Sequence, residues 1–410
     1  MATYTPQITV TIDGVDYSAE TLDSLAVRRG RDEFYQFMPP SAANIRLIDK
    51  TGTGIPVEVT RPISVKLKNS VGADTIIFSG SVSDWYTEIY DAGIRNTTAA
   101  IYNITATGPL ARLNRRSVLA AGRPEEKDGE RIKALLEEAF ATSWEQAQGT
   151  WEDQQNTWAA FEPEVDPALI DTPGVYDIVP LDPTNGTNAL IHANLVSSSA
   201  AGIIYETADG RIAYADALRR PQNAADGYTN VPATVIDAQT VRTVQRDADI
   251  VNSVIVTYDT TDAVTEVDQQ SIDVYGQNSR TFNTLLANLT DAENRAADIL
   301  DTQAFPVVNF DRFGVLLHVD IEDSLRDELI ASEINDALLV QNMPATLGRT
   351  NLAGFIEGIT FTVTPQTAGI AISLSDAPLS IGTVSWNQLP ILPWENVSPG
   401  IQWVNARSIV

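Results

Sequence analysis

The chain of 410 residues contains no cysteine, two histidines and three methionines. Without thiols it can build no disulfide framework, no thiolate zinc finger and no cysteine nucleophile. His192 and His318 stand 126 positions apart and in no metal-ligand spacing, so both read as ordinary hydrogen-bonded side chains. Lysine is also scarce: there are five, and none follows Lys133. No apolar run is long enough to span a bilayer, so membrane insertion is not expected. The opening Met1-Ala2-Thr3-Tyr4-Thr5 has no basic stretch leading into an apolar core, so no signal peptide is expected either. The Asn-x-Thr sites at Asn96 and Asn103 are then read as chance.

Catalytic signatures are equally sparse. There is no GxSxG elbow and no Walker A lysine motif. Gly52-Thr53-Gly54 is a lone GxG without the third glycine and following helix of a dinucleotide site. Carboxylates abound, but nothing singles out two as an acid–base pair. The Asp259–Asp273 stretch leaves Ca²⁺ open while lacking the EF-hand pattern. The expectation is a chain with no enzymatic activity, no cofactor and no metal site.

What the chain has in excess is carboxylate. Lys and Arg number 27 against 54 Asp and Glu, a net charge of −27. Residues 1–133 carry 16 basic and 16 acidic side chains, whereas residues 134–410 carry 11 and 38. Phosphate binding needs basic clusters, so tight binding of duplex nucleic acid is disfavoured. The acidity reads as solubility or salt adaptation, or as a surface that repels passing DNA or docks a basic partner. Two basic clusters stand against it in the neutral third: Arg28, Arg29 and Arg31 in LAVRRGRDEFY, and Arg112, Arg115 and Arg116 in ARLNRRSV. They read as solvated loop charges, or as groups that pair with acidic faces of adjacent domains or chains.

Hydrophobic periodicity divides the chain. Ile8, Val10 and Ile12 alternate with polar residues ahead of Asp13-Gly14, a pair favoured in tight hairpin turns. Ile63, Val65 and Leu67, then Ile76, Phe78 and Val82, then Tyr102 and Ile104 continue the pattern, and predict a small barrel or sandwich over 1–121. An insert follows over 122–235. In it Ile132, Leu135, Leu136 and Ala139 share one helical stripe. Trp144, Trp151 and Trp158 come next at seven-residue spacing, but Gly149, Thr150 and Thr157 weaken a helix there. The Trp segment therefore reads as extended or mixed, its indoles lying against a neighbouring domain or stacking on sugar. A helix over 187–201, two strands about Asp209-Gly210 and a turn-rich linker at 220–235 complete the insert. Residues 236–385 return to strand pattern. Val254, Val256 and Tyr258 alternate, as do Val315, Leu317, Val319 and Ile321, and Ile359–Val363 is set to pair with Ile370–Leu374. One helix over 291–300 is opened by a capping box from Thr290 to Glu293. Residues 386–410 read as an extension that straps onto a neighbour. The fold class expected is mainly β with α+β inserts.

The order of segments carries a resemblance. VTIDGVDYSAETLDSLAVRRGRDEFYQFMPPSAANIRLID, GTGIPVEVTRPISVKL, FSGSVSDW and ITATGPLARLNRRSV open the chain. IDTPGVYDI, IIYETADGRIAYAD, NSVIVTYD, SIDVYGQNS and GFIEGITFTVTPQTAGIAISLSDAP follow. Together they resemble the minor tail proteins of long-tailed viruses, and the chain is similar to their baseplate or tail-tip hub family. That resemblance implies two related tail-tube-like β-barrels, here 1–121 and 236–385, forming a pseudo-sixfold ring in a homotrimer. It implies a structural protein of the virion tail tip, assembled in the host cytoplasm. Its partners would be the tail tube or distal tail protein, the C-terminus of the tape-measure protein, and a tip fibre or other minor tail proteins. DNA would pass without specific binding, through a lumen lined by part of the acid excess after residue 133. Subunit-interface candidates are Arg28, Arg29, Arg31, Arg112, Arg115, Arg116, Trp144, Trp151 and Trp158. The alternative is a receptor-binding tail adhesin that recognises host-surface carbohydrate through its Trp residues. A wall-degrading hydrolase is a third reading, disfavoured by a chain that stops soon after the second expected barrel.

Overall fold

The computed structural model describes residues 4–17, 21–34, 36–50, 54–90, 99–140, 164–183, 186–244, 246–305, 309–319, 321–347 and 350–376. Its first strands follow from period-two patterning. In Ile8–Ile12 and Pro62–Lys68 the apolar side chains Val10, Ile12, Ile63, Val65 and Leu67 are buried, while Thr9, Thr11, Ser64 and Lys66 face the other way. Asp13 at φ 51 and Gly14 at φ 79 make the two left-handed residues that a tight hairpin requires. The 17-residue strand Asp74–Tyr90 pairs first with Pro62–Lys68 and then with Ala99–Thr107, changing partner near Ser81 and bulging between Val82 and Asp84.

Thirteen of the described strands form one sheet. Its neighbours run Arg242–Val244, Asn309–Leu316, Ala368–Asp376, Leu352–Val363, Thr21–Gly30, Ala42–Asp49, Ala99–Thr107, Asp74–Tyr90, Pro62–Lys68, Ile8–Ile12 and Val15–Asp16. Ala337–Gln341 pairs with Leu352–Val363 and carries Thr229–Pro232 beside it in parallel. The chain is thus mainly β with α+β inserts, as expected, but the two separate barrels are not what forms. Among the described residues no barrel closes. The reason lies in Thr21–Gly30, which holds Ala42–Asp49 on one edge and Leu352–Val363 on the other, from Leu25↔Val363 to Gly30↔Gly358. The edge that could close an N-terminal barrel is occupied by the C-terminal part of the chain. One apolar core runs beneath, from Val10 through Leu136 and Val196 to Ile372.

The inserts sit against this sheet. The helix Asp128–Ala139 buries Ile132, Leu135, Leu136 and Ala139, and packs on the helix Ala189–Ser199. Asp128 carries no charge to the surface. Its Oδ1 accepts from the amides of Val175 (2.7 Å) and Tyr176 (2.8 Å), and its Oδ2 from the Tyr214 hydroxyl (2.6 Å). A second, three-stranded sheet of Ser253–Tyr258, Asp262–Val267 and Ser279–Phe282 packs under the helix Leu289–Gln303. That helix begins earlier than the capping box predicts. Asn288 is its N-cap, accepting from the Asp291 amide at 2.9 Å, so Thr290 lies inside the first turn. The turn-rich stretch at 220–235 is also more ordered than its composition predicts: it contains most of the helix Arg219–Asp226 and the strand Thr229–Pro232. The strand containing Val315 ends at Leu316, so Leu317 and Val319 lie beyond it.

Glu206 joins the insert to the sheet. Its carboxylate accepts from the amide of Ser41, just ahead of the strand Ala42–Asp49, at 2.6 Å, and from the amide of Leu110 in the first turn of the helix Pro109–Leu113. Gly108 needs to be glycine, because a Cβ there would stand 2.3 Å from the Glu206 Oε2. Burial raises the Glu206 pKa to about 7, against the opposing pull of the Ser41 and Leu110 hydrogen bonds. For an acid raised in the fold, the stabilisation is complete below the ordinary value of 4.5 and is lost as pH rises through about 7. The stability of the native chain relative to Glu206→Gln is therefore expected to fall by about 3 kcal/mol between pH 4 and 8. Urea unfolding of both proteins across that range measures it; a difference that stays flat would refute the assignment.

Candidate assembly surfaces and their anchoring charges

Two of the six arginines expected at subunit contacts are interior. Arg29 projects from the core side of Thr21–Gly30 and is 1% exposed. Its Nη1 pairs with Glu333 at 2.5 Å, its Nη2 donates to the Ser332 carbonyl at 2.9 Å, and Glu333 in turn accepts from the Ala208 amide at 2.9 Å. Arg31 donates from Nε to Glu357 at 2.8 Å and from Nη1 to the Gln36 carbonyl at 2.9 Å. Arg220 reaches the other oxygen of Glu357 at 2.6 Å, and its Nε donates to Asn335 at 2.8 Å. The Arg31 and Arg220 guanidiniums lie over the Phe34 ring, at 5.2 and 4.9 Å. Burial alone would raise the Glu357 pKa, but the charges of Arg220 and Arg31 and the hydrogen bonds around it hold it at about 2. Arg29 and Arg31 thus tie the N-terminal strands to the C-terminal ones within one chain. The cause is local geometry: a bulge between Ile356 and Gly358 turns the Glu357 carboxylate into the junction.

The other four arginines reach the surface. Arg28 pairs with Asp32 at 2.6 Å, both more than half exposed. Arg112 pairs with Glu164 and lies over the Phe140 ring at 5.6 Å. Arg115 and Arg116 follow the short helix Pro109–Leu113, are exposed, and make no ion pair with the described residues. Trp144, Trp151 and Trp158 lie outside the described residues, as does the extension 386–410. His318 bonds to the Ala368 backbone through Nδ1 at 3.0 Å, but His192 departs from expectation. It is buried, its Nε2 has no partner among the described residues, and burial, assisted by the Arg131 charge, lowers its pKa to about 4. Among the described residues no group of His, Asp and Glu could hold a metal ion, and no helix is long and apolar enough to cross a membrane.

Register places a third feature that no local motif announces. The sheet face turned away from the core presents Asn103, Thr105 and Thr107 of one strand beside Ala42, Asn44 and Arg46 of the next. Ser24, Ala26 and Arg28 follow, then Thr360 and Thr362, then Gly369 and Ala371. Across these five strands no ladder position on this face holds Asp or Glu. Two carboxylates reach its cations from off the ladder: Asp23, lifted out of register at a bulge, pairs with Arg46 at 2.7 Å, and Asp32 pairs with Arg28. The next strand, Asp74–Tyr90, continues the face with Asp84, Tyr86 and Glu88 opposite Thr105, Asn103 and Ile101, and among the described residues no strand pairs with its far side beyond Ser81.

This architecture is shared with solved tail proteins. The chain is similar to the 43 kDa tail protein of prophage MuSo2 from Shewanella oneidensis, at 10% identity and a TM-score of 0.57, over 90% of this chain and 97% of that one. It is similar also to the tail protein from Neisseria meningitidis MC58, at 12% identity and a TM-score of 0.56, over 91% and 97% of the two chains. Prophage tail protein gp18 from Listeria monocytogenes EGD-e aligns at 10% identity and a TM-score of 0.51, over 90% and 95%. No protein-family model matches the chain, and no curated protein matches it.

Proposed function

We propose that this chain is a structural protein of a phage virion, a tail-tip hub that joins the tail tube to distal tip components and forms part of the DNA conduit. The observation that carries the reading is the shared sheet: strands from both ends of the chain make one continuous wall, locked by buried Arg–Glu pairs, in a fold like that of phage tail proteins over nine-tenths of its length. A wall stiffened across its midline suits a ring subunit that transmits load without turnover. In this reading the chain is a homotrimer, with the tail tube or distal tail protein on one side and the tape-measure C-terminus, a tip fibre or other minor tail proteins near the other.

Subunit pairing falls to the exposed arginines, because Arg29 and Arg31 are already neutralised inside the chain. The double variant Arg115→Glu, Arg116→Glu is expected to fold with a stability within about 0.5 kcal/mol of the native chain, since both side chains are solvent-facing and unpaired. It is expected to lose oligomer formation through like-charge repulsion with an acidic neighbour. Light scattering coupled to size exclusion reads both chains. A native chain that is monomeric and absent from purified tail particles would refute the hub reading; a variant that still trimerises would refute the role of these two arginines.

A further inference from the structure

We propose that residues 377–410 pack into an apolar cleft beside the C-terminal strands of the same chain, as an intramolecular strap that does not depend on the hub reading. The cleft has a volume of about 230 Å³. Its floor is buried core: Phe313 of Asn309–Leu316, Val340 of Ala337–Gln341, and Met343. Its walls include Ile236 and Leu347, which are apolar yet only partly buried, and Thr346 stands exposed at the rim. None of the lining residues is charged, and the Thr346 hydroxyl is the one polar group among their side chains. Small-molecule sites commonly measure about 300–1,000 Å³ and place several polar groups to orient the ligand. This cleft is smaller and nearly without such groups, so it suits the apolar side chains of a peptide.

Register and composition select the occupant. Asp376 is opposite Gly354, and Gly354 is opposite Leu338, so the last described residue lies two strand spacings, about 10 Å, from Leu338. Ala368–Asp376 and Ala337–Gln341 run in the same direction, because each is antiparallel to Leu352–Val363. A chain continuing along that line past Asp376 draws level with Val340, on the cleft floor, after two residues. Residues 377–410, which lie outside the described residues, carry one acid, Glu395, and one base, Arg407, in a chain of net charge −27. They also hold three of the seven tryptophans, Trp386, Trp394 and Trp403, and four prolines. Proline removes backbone donors and holds φ near one value, so such a segment gains little by pairing as a strand and loses less entropy when it docks by its side chains. Attachment at Asp376 gives this segment an effective concentration at the cleft that the same segment of a second copy lacks.

The absence of cysteine makes the test direct, because one introduced thiol is unique. Thr346→Cys places it at the rim of the cleft, and Gln270→Cys places it on the exposed helix Gln269–Tyr275 as a control. Full-length chain, mixed equally with heavy-nitrogen-labelled chain, is alkylated with a benzophenone maleimide, irradiated, digested and read by mass spectrometry. Thr346→Cys is expected to cross-link to residues 377–410 within one isotope label, and Gln270→Cys to give far less of that product. Adding Ala238→Trp, which fills the cleft from an exposed position, is expected to remove most of the product while the circular dichroism stays unchanged. Products that join the two labels would assign the cleft to a second copy and overturn the proposal. So would products confined to residues before 377. A yield that Ala238→Trp leaves unchanged would show tethering without docking, and would overturn it as well.

Discussion

Replacing Glu357 with alanine is expected to destabilise the chain by about 3–5 kcal/mol, because it leaves the buried Arg31 guanidinium and the largely covered Arg220 guanidinium without their shared counter-charge. Glu357 is fully buried, and its two oxygens are held by Arg31 from the N-terminal part of the chain and Arg220 from its middle. Neither arginine can simply swing into water, since both are packed on Phe34 and hydrogen-bonded to further groups. The pH dependence separates this from a packing defect. A carboxylate held at about 2 contributes stability that is present above the ordinary value of 4.5 and is lost as pH falls through about 2. The margin of the native chain over Glu357→Ala should therefore persist from pH 8 to pH 5 and shrink only in strong acid. A triple variant, Arg31→Met, Glu357→Leu, Arg220→Met, should recover much of the loss, as apolar replacements of buried ion groups commonly do. Urea unfolding reads all three proteins. A loss of about 1 kcal/mol or less in Glu357→Ala would mean that water reaches the pair.

Much of the local structure was legible. Alternation located the strands around Val10, Val65 and Ile104, and Asp13-Gly14 located their first turn, because one buried face fixes side-chain direction at every second residue. The helix stripe at Ile132–Ala139 was legible for the same kind of reason. What alternation cannot state is which edge meets which. Thr21–Gly30 reads equally well as a barrel strand or as a bridge to residues more than 300 positions away, and the sequence alone does not choose between them.

The arginine clusters show the limit more sharply. LAVRRGRDEFY holds Arg28, Arg29 and Arg31 within four positions, yet the alternation of the strand sends Arg28 to the surface and Arg29 into the core. That much could have been read from Leu25 and Val27, which share the parity of Arg29. The signal for its neighbour was a lone glutamate in the otherwise uncharged strand Leu352–Val363, since a buried carboxylate in such a strand demands a cation. No local signal identified Arg220, which lies in a stretch whose Pro, Asn and Gly composition reads as linker. The make-up of the outer sheet face was likewise hidden, because it exists only once strands from the two ends of the chain are set in register.

The same junction makes Gly30 the position where a single methyl group should do the most harm. Gly30 has φ +81, and a Cβ built on it would stand 2.1 Å from the Glu357 carbonyl oxygen, 2.7 Å from Ile334 Cδ1 and 2.8 Å from the Gly358 Cα. Two of these are backbone atoms of the strand that pairs with it, and the same Glu357 carbonyl accepts from the Arg31 amide at 2.8 Å. Relief of the clash would have to open the only strand pairing, among the described residues, between the N-terminal strands and Leu352–Val363. Left-handed strain costs an L-residue about 1–2 kcal/mol, and overpacking of this kind adds about 1–3, so Gly30→Ala is expected to lose roughly 2–5 kcal/mol. Gly72 supplies the comparison, because it has the same φ of +81 with nothing within 4 Å of its Cβ position. Gly72→Ala should show the strain alone, about 1–2 kcal/mol. Urea unfolding of the pair isolates the close approach of the two strands from the dihedral. Equal losses would mean that the junction can spread to admit a side chain, and the continuous wall would then be softer at its midline than its register implies.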